Sequence, residues 1–449
     1  MATKIVNSLA GLPAEVTVKK LVHRSNYEEL WISFPESERI CPHCGSHDCT
    51  IKDSGRDYTV YHSAVHHRST HLHMQRKRYY CKSCHRTFMQ HSEWLHPTLH
   101  ITQLLYIDIC LSLTKMQSLR AVAEENGVSE SIVYSILDLI SFDAVSKLPE
   151  TIAIDEFKGD SGIWDSDRHR WLKDKYHTNI VDGDGRSVID VLPVIRAADL
   201  KKYFRQFPKS ERDKVRFYCC DMHNSFVSVA KEMFPRAIIC IDMFHVIKHL
   251  NECVSSIRVQ LQRDLDPSDP NYRLLKGSMR ILVAKESGIN FKYDQKAPVV
   301  KKRIDKLLKA YPDLNEAYQA LQCFHYINDM TIPALQRAQL TEWLEVYCSS
   351  EVPEVRHVAN MVRHWRGYIQ NTWKYNKSNG VCEGYNNRIK VLKRICYGLH
   401  NFESFRKRIL LTCGSTQFVT NPATLFQRNR TKKVRSMRKS IYPRFSHQL

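Results

Sequence analysis

The chain has 449 residues, of which 43% are hydrophobic and 25% charged, so whole-chain disorder, a collagen-like repeat and a small disulfide scaffold are excluded. At about 150 residues per domain, this length suggests about three domains. Lys and Arg number 67 against 47 Asp and Glu, a formal net charge of +20 that favours a polyanionic partner, most simply nucleic acid. The sequence has no apolar run of roughly 18 residues and no signal-peptide core near its start, which predicts a cytoplasmic protein without a membrane-spanning segment.

Residues 1–100 read as a small module with a helical or irregular start and two Cys-X-X-Cys pairs. Each pair forms a turn that directs two thiolates at one point, so two pairs complete a tetrahedral site. Thiolates favour zinc over magnesium or calcium, and a site filled by four protein ligands is structural rather than catalytic. The predicted zinc ligands are Cys41, Cys44, Cys81 and Cys84. Cys49 or a nearby histidine could replace Cys41 in this set.

A basic run leads into the second cysteine pair. Arg76, Lys77 and Arg78 are followed directly by two tyrosines, a combination suited to contact with phosphates and stacking on bases. The alternative is that these residues form a solvated strand edge.

Residues 101–147 read as helices, and the stretch from Ser118 to Leu137 fits two short helices around a turn. Gly127 permits the sharp reversal, and Ser129 is placed to cap the second helix. The apolar side chains of that helix should face inward, which leaves its polar side chains exposed to DNA. The DNA-contacting candidates here are Ser129, Ser131 and Tyr134. The helix carries no Arg or Lys, so an ordinary helical hairpin is the alternative.

After Leu148 the pattern changes to strands. The predicted strands are Thr151 to Phe157, Tyr176 to Val181, Ser187 to Ile195, Val215 to Cys220 and Ala237 to Ile241. The second and third strands are joined by Asp-Gly-Asp-Gly-Arg, a hairpin signal, and a helix from Ser225 to Phe234 separates the last two.

Three aspartates follow apolar runs in this region. Asp155 ends the apolar run Ile152 to Ile154, and Asp221 follows the run Val215 to Cys220 in the same manner; a carboxylate is costly at such a position unless it is paired or holds a metal. On adjacent strands the two would converge, although either alone could be a strand cap or an ion-pair partner. Asp242 is a third of the same kind, and the nearby His245 is, taken alone, more typical of a structural hydrogen-bond donor.

From Val246 to Tyr375 the sequence reads as several helices separated by prolines, and another helix is predicted from Gly380 to Tyr397. On that helix Glu383 shares one stripe with an amide and two cations, a combination suited to metal and phosphate backbone. The stripe is Glu383, Asn387, Lys390 and Arg394, opposite an apolar face of Tyr385, Ile389, Leu392 and Cys396. Alternatively, Glu383 belongs to a solvated face and pairs with a cation such as Lys390.

Taken together, these motifs resemble the DDE transposases of bacterial insertion sequences, specifically the ISL-three (ISL3) group. The resemblance rests on the order Cys-X-X-Cys twice, the two-helix pattern, I-A-I-D-E-F, C-D-M-H-N-S-F, D-M-F-H-V-I-K and S-N-G-V-C-E-G-Y-N-N-R-I-K-V-L-K-R, and runs from about Cys41 to Leu410. It implies an α/β multi-domain protein with a ribonuclease-H-like catalytic core, an all-α insertion, and Asp155, Asp221 and Glu383 as catalytic triad. Asp242 and His245 match a motif of the group to which no role is assigned.

The resemblance also implies the chemistry. Carboxylate oxygens select Mg²⁺ or Mn²⁺, and two such ions would activate water and stabilise the leaving oxygen of a phosphodiester. The partners implied are double-stranded DNA at the terminal inverted repeats and at the target, and a second copy of the chain in a homodimer or larger assembly, in the bacterial cytoplasm near the nucleoid. The full set of expected DNA-binding residues is Arg76, Lys77, Arg78, Ser129, Ser131, Tyr134, Asn387, Arg388, Lys390, Lys393 and Arg394.

The expected organisation has six segments. They are a zinc-binding module at 1–100, a helix-turn-helix region at 101–147, the first part of the core at 148–246, a helical insertion at 247–375, the core completion with the Glu383 helix at 376–420, and a basic tail at 421–449. Two alternatives remain open at this stage. One is a zinc-containing DNA-binding regulator without catalysis, and the other is a ribonuclease-H-like nuclease that cuts without strand transfer.

Overall fold

The fold is described from a computed structural model, in which residues 11–415 are described except 34–38, 54, 56, 66–67, 91, 143–144, 160–163, 166–169, 172–175, 194, 397–398 and 400, with the backbone alone at 164–165 and 170–171. The basic tail at 421–449 therefore lies outside the described residues. The chain forms two compact units. The discontinuous unit consists of Met1–Ala144 and Arg388–Leu449, and the central unit of Val145–Asn387.

Strands are numbered along the whole chain. Those of the discontinuous unit are β1 Thr17–His23, β2 Tyr27–Ser33, β3 Cys49–Asp53, β4 Asp57–Val65, β5 Arg68–Gln75, β6 Arg78–Cys81 and β7 Thr87–Met89. Those of the central unit are β8 Thr151–Lys158, β9 Trp164–Asp165, β10 Arg170–Trp171, β11 Tyr176–Asp182, β12 Ser187–Leu192, β13 Phe217–Cys220 and β14 Ile238–Ile241.

Helices are numbered in the same way. They are α1 Gln103–Ser112, α2 Leu119–Asn126, α3 Glu130–Leu139, α4 Ala197–Arg205, α5 Lys209–Arg212, α6 Asn224–Met233, α7 Met243–Arg263, α8 Pro270–Lys276, α9 Met279–Leu282, α10 Ile289–Tyr293, α11 Ala297–Ala310, α12 Pro312–Asp329, α13 Pro333–Cys348, α14 Pro353–Tyr375, α15 Gly380–Ile395 and α16 Phe402–Cys413. Four of them begin with proline, whose fixed φ suits the first turn. Among the described residues, no helix is long and apolar enough to cross a bilayer.

The discontinuous unit starts with strands, so the prediction of a helical or irregular start is wrong for residues 17–33. β1 and β2 join a four-stranded sheet in the order β1-β2-β5-β4. In β2, the buried residues Glu28, Leu30 and Ile32 alternate with half-buried ones, which is the period of a strand with one face in the core. The buried Glu28, paired with Arg68 at 2.8 Å, concealed this alternation in the sequence.

Three helices and α16 enclose a second core in this unit. α2 and α3 are joined by the predicted turn, where Gly127 has a φ of +65° and a Cβ would lie 2.2 Å from that of Ser69. α16 packs on α3. Arg408 of α16 is fully buried and donates to the backbone oxygens of Leu113, Lys115 and Gln117, which orders the segment between α1 and α2.

The central unit is built on a five-stranded sheet in the order β12-β11-β8-β13-β14. β8, β11 and β12 are antiparallel neighbours, whereas β13 and β14 run parallel to β8. The predicted hairpin and the following strand–helix–strand are confirmed as β11–β12 and β13–α6–β14. The predicted helical stretch is confirmed as α7 to α14, and these helices share one continuous core with the sheet.

The predicted strand Thr151 to Phe157 is confirmed as β8, and Asp155 directly follows its apolar run Ile152 to Ile154. β8 continues to Lys158 because β11 pairs with it from Ile152 to Lys158. On the other side, however, the ladder between β8 and β13 stops at Ile154 opposite Cys220. Asp155 therefore lies where β8 loses its parallel neighbour.

Candidate active site and cysteine group

Three aspartates lie side by side at one edge of the central sheet. The last paired residue of β13, Cys220, lies opposite Ile154 of β8 and Ile241 of β14. Each of these three residues is followed by an aspartate: Asp155 in β8, Asp221 after β13 and Asp242 after β14. Because these strands are parallel, their carboxyl ends bring the three side chains to the same edge, as the sequence predicts for Asp155 and Asp221.

Asp155 and Asp221 perturb each other. Burial, followed by the charge of Asp221, raises the pKa of Asp155 to about 8. Burial also raises the pKa of Asp221, although the nearby His245 acts in the opposite direction. Like charges held this close in a poorly solvated site favour protonation of one partner or binding of a cation. The pair therefore has the electrostatics of a cation site.

Helix α15 is anchored to Asp155 by an asparagine. The side-chain amide of Asn386 donates to Asp155 Oδ2 at 2.7 Å and to the backbone oxygen of Glu156 at 3.2 Å. Its own side-chain oxygen accepts from Asn179 of β11 at 3.1 Å. All three of these side chains are at most 8% exposed, so the network fixes the helix against β8 and β11.

A second asparagine anchors the start of the same helix to Asp221. Asn379 donates to Asp221 Oδ1 at 3.2 Å and to the backbone oxygen of Ile154 at 3.1 Å. It is 1% exposed, and among the described atoms its side-chain oxygen has no hydrogen-bond partner. The helix that carries Glu383 is therefore tied to both aspartates.

Glu383 lies between the two asparagines, four residues after Asn379 and three before Asn386. At 3.6 residues per turn, these three positions share one helix face, and the face is the one that contacts the aspartates. Glu383 itself is half-buried. In the described part of the chain, no group of metal-ligating atoms within 4.8 Å of one another includes Glu383.

Near the aspartates, the described residues that meet this distance are Asp221, Asp242 and His245. His245 Nε2 lies 3.0 Å from Asp221 Oδ2, and Nδ1 lies 3.5 Å from Asp242 Oδ2. The contact with Asp242 is the main cause of a raised pKa at His245, and the charge of Asp221 adds to it.

Neither asparagine was predicted as a site residue, because the charged stripe of α15 lies beside them on the helix and was the stronger pattern. Their spacing of seven residues around Glu383 is two helical turns and was the available signal. The opposite apolar face is confirmed by the burial of Ile389, Leu392 and Cys396. The predicted DNA-binding residues on this helix are exposed at Asn387, Arg388, Lys390 and Arg394 and half-buried at Lys393.

The four predicted zinc ligands come together in the discontinuous unit. The Sγ atoms of Cys41 and Cys84 are 3.6 Å apart, as are those of Cys44 and Cys81. A tetrahedron with Zn–S bonds of about 2.3 Å has S–S edges of about 3.8 Å, so the spacing suits zinc. The group of four metal-ligating atoms within 4.8 Å of one another contains Cys41 and not Cys49.

The two cysteine turns are built alike. The amide of Cys41 donates to the oxygen of Ser46 at 2.9 Å, and the amide of Cys81 donates to that of Arg86 at 2.9 Å. The residue after each second cysteine, Gly45 or His85, has a positive φ. A backbone amide of Cys84 is the first cause of a lowered pKa of about 6 at Cys81, whereas the pKa values of Cys44 and Cys84 are raised, so Cys81 is the thiol of this group that ionises first.

The basic run before Cys81 is partly engaged within the fold. The guanidinium of Arg76 donates to the backbone oxygen of Gln90 at 3.0 Å and lies 4.8 Å from the ring centre of Tyr58. Arg78 is exposed and donates to Thr87 Oγ1 at 3.3 Å, and Lys77 is half-buried. Arg76 therefore has a structural contact in addition to its predicted role.

The predicted DNA-binding residues at the start of α3 and within it differ in part from the expected capping and exposure. Ser129 is at the N-cap position, but the prediction that its side chain caps the helix is wrong, since its hydroxyl contacts Ser131 Oγ at 2.7 Å instead. Both serines are exposed. Tyr134 is half-buried against the helical core, so less of it is available than the sequence predicts.

Comparison with known proteins agrees with this geometry. Residues 152–409, more than half of the chain, match the ISL3 DDE family, described as transposase, and the chain belongs to this family of transposases. It is similar to the transposase for insertion sequence element IS1001 of Bordetella parapertussis, with 26% identity over 381 residues that cover 82% of this chain and 87% of that protein. A shorter similarity, 32% over 114 residues, covers 25% of this chain and 34% of an ATP-dependent protease of Lactococcus lactis subsp. lactis.

Family membership makes the protein a transposase enzyme, and the family implies action on DNA with divalent metal ions. The matched region contains Asp155, Asp221 and Glu383 and excludes the cysteine group.

Proposed function

We propose that the protein binds the terminal inverted repeats of an insertion sequence and catalyses phosphodiester hydrolysis and strand transfer at Asp155, Asp221 and Glu383. The observation that carries this proposal is the pair of asparagine bonds that tie the Glu383 helix to the two aspartates, at 2.7 Å and 3.2 Å. The strand order of the central sheet, with three antiparallel strands followed by two parallel ones, supports a ribonuclease-H-like core.

The donor set of this site fits Mg²⁺ or Mn²⁺. Asp155 and Asp221 are buried carboxylates with raised pKa values, and a divalent cation would relieve their repulsion. The half-buried Glu383, on the helix face of the two asparagines, would supply the third carboxylate. When bound, two such ions activate the attacking oxygen and stabilise the leaving oxygen of a phosphodiester.

The residues of the chain itself would orient the reaction. Asn386 occupies one lone pair of Asp155 Oδ2, and each carboxylate oxygen has a second lone pair left for a metal ion. Cys382, which precedes Glu383 on α15, is fully buried with a strongly raised pKa and donates to Asn179 O. This thiol is unsuited to covalent attack, so water and then the freed 3′-hydroxyl are the proposed nucleophiles.

DNA recognition is proposed for the discontinuous unit and α15. A zinc ion held by Cys41, Cys44, Cys81 and Cys84 would fix the two cysteine turns, and α2 with α3 would act as a helix-turn-helix. The exposed Ser131, Lys390 and Arg394 are placed at the surface as a DNA contact requires. We retain the six-segment organisation from 1–100 to 421–449, and at least a homodimer, as part of this proposal.

The test uses a labelled duplex copied from the inverted repeats that flank the gene, with a supercoiled plasmid as target. The parent protein should nick at the repeat end in Mg²⁺ and join that end to the plasmid, and Asp221→Asn should do neither while it still binds the duplex. Nicking without joining would favour a nuclease, and binding without metal-dependent nicking would favour a regulator.

A further inference from the structure

Asp242 and His245 lie beside the proposed triad without belonging to it. β14 ends at Ile241, and Asp242 is the N-cap of α7, where its Oδ1 accepts from the amide of Phe244 at 3.2 Å. His245 follows within the first turn of this helix. A capped helix that directly follows a core strand is a rigid support, so the position of the imidazole is well defined.

The imidazole of His245 lies between two carboxylates. Nε2 is 3.0 Å from Asp221 Oδ2, within hydrogen-bonding distance, and Nδ1 is 3.5 Å from Asp242 Oδ2. The side chain of Asp242 is 9% exposed and that of His245 is 28% exposed, so the row of three side chains is largely shielded from solvent. At 3.5 Å the contact with Asp242 is an ion-pair distance and Nδ1 has no hydrogen-bond partner among the described atoms, so Asp242 acts on the imidazole through its charge.

We propose that His245, oriented by Asp242, is a positioning residue that holds Asp221 in the conformation in which it binds a divalent ion. This inference rests on the proposed function, because it assigns Asp221 to a metal site. His245 acts through Asp221 and is not itself a metal ligand.

The hydrogen bonds around Asp221 carry this assignment. Oδ1 accepts from Asn379 at 3.2 Å, and Oδ2 faces His245 Nε2 at 3.0 Å. Each oxygen thus faces one nitrogen within hydrogen-bonding distance and retains one lone pair for an ion. A ring nitrogen that donates to Asp221 has no lone pair for a metal, whereas its N–H also offsets the repulsion between Asp221 and Asp155.

Partners that orient a metal-binding side chain typically change metal affinity by about 10-fold to 100-fold when they are removed. We therefore expect His245→Ala to weaken Mn²⁺ binding to the full-length protein by at least about tenfold. His245→Gln can keep a donor near Asp221 and should bind Mn²⁺ more tightly than His245→Ala. The matched control is His249→Ala, one turn further along α7, because His249 is exposed and pairs with Glu252 at 3.1 Å.

The experiment is isothermal titration of Mn²⁺ into the parent, these three variants and Asp221→Asn, with pulsed electron paramagnetic resonance of bound Mn²⁺ and a circular dichroism check of folding. The expected result is weak binding in His245→Ala, partial recovery in His245→Gln, parent-like binding in His249→Ala and no nitrogen coupling from His245 in the parent. If His245→Ala is misfolded, the comparison of His245→Gln with His249→Ala decides: weaker Mn²⁺ binding in His245→Gln supports the positioning role, and equal binding in the two variants removes it.

Two results overturn the inference. Nitrogen coupling that is present in the parent and lost in either His245 variant would make His245 a direct ligand. Parent-like Mn²⁺ affinity in a folded His245→Ala would remove its positioning role, and the proposed metal site would still stand if Asp221→Asn had lost binding. If Asp221→Asn also bound Mn²⁺ like the parent, the proposed function would fail together with this inference.

Discussion

The side-chain amide of Asn386 donates to Asp155 Oδ2 at 2.7 Å across 231 residues of sequence. This bond joins the middle of the central sheet to the helix that carries Glu383. A matching bond from Asn379 reaches Asp221, so the position of Glu383 is determined by the two aspartates with which it is proposed to act. The two amide bonds therefore tie the Glu383 helix to both aspartates.

Removal of the Asn386 side chain should lower the stability of the folded protein. Asn386→Ala leaves a buried carboxylate oxygen and the amide of Asn179 without their partner, which should lower the free energy of unfolding by about 1–3 kcal/mol. Asn387→Ala changes an exposed neighbour on the same helix and should leave the free energy of unfolding nearly unchanged. Urea denaturation of the metal-free proteins measures the free energy of unfolding of both variants. An equal decrease in the two variants would contradict the role of Asn386.

The strands that build the active site could be predicted because they are short apolar runs separated by turn residues. β11, β12, β13 and β14 coincide with such runs. The carboxylates directly after β13 and β14 could also be seen in the sequence. The register that brings Asp155 next to Asp221 depends on pairing across the sheet, which one sequence does not contain.

The parts that could not be predicted depend on partners far away in sequence. Glu28 is buried in β2 with Arg68 of β5 and His23 of β1 as partners, and a charged residue at a core position concealed the strand pattern of its segment. Asn386 looked like an ordinary polar residue of an amphipathic helix, since its partners are on β8 and β11. Tyr134 appeared exposed because the packing around α3 was unknown.

Zinc content tests the cysteine group. We expect one zinc ion per chain in purified protein, and Cys81→Ser combined with Cys84→Ser should remove it because two of the four ligands are lost. Cys49→Ser is the matched control, since Cys49 is buried beside the group but outside it. Elemental analysis gives the answer. Zinc that persists in the double variant, or disappears in Cys49→Ser, would assign the wrong ligands.

The raised pKa of Asp155 makes the stability of the metal-free protein depend on pH. In the unfolded chain an aspartate ionises near pH 4, whereas folded Asp155 has a pKa of about 8. Between these values unfolding releases a proton, so stability should fall as the pH rises, by at most about 1.4 kcal/mol per pH unit for one proton. Asp155→Asn removes this titration and should flatten the fall.

Thermal unfolding from pH 5 to pH 8 in a chelator measures this effect. Addition of Mg²⁺ should raise the melting temperature of the parent most at the higher pH, where the carboxylates are ionised, and should have little effect on Asp155→Asn. A melting temperature of the metal-free parent that rises between pH 5 and pH 8, with the slope unchanged in Asp155→Asn, would show that Asp155 is not held protonated by its surroundings.

The most direct test of the proposed triad is a cleavage and joining assay with Glu383→Gln in Mg²⁺. The amide keeps the size of the side chain and removes its charge, so nicking and joining should both be lost while binding to the inverted-repeat duplex is retained. Glu383→Asp should lose about a hundredfold in rate because its oxygens move by about 1 Å. Glu156→Gln is the control, because adjacent residues of a strand point to opposite faces, and it should remain active. If Glu383→Gln nicks and joins DNA as fast as the parent, Glu383 is not a catalytic residue and the proposed triad is wrong.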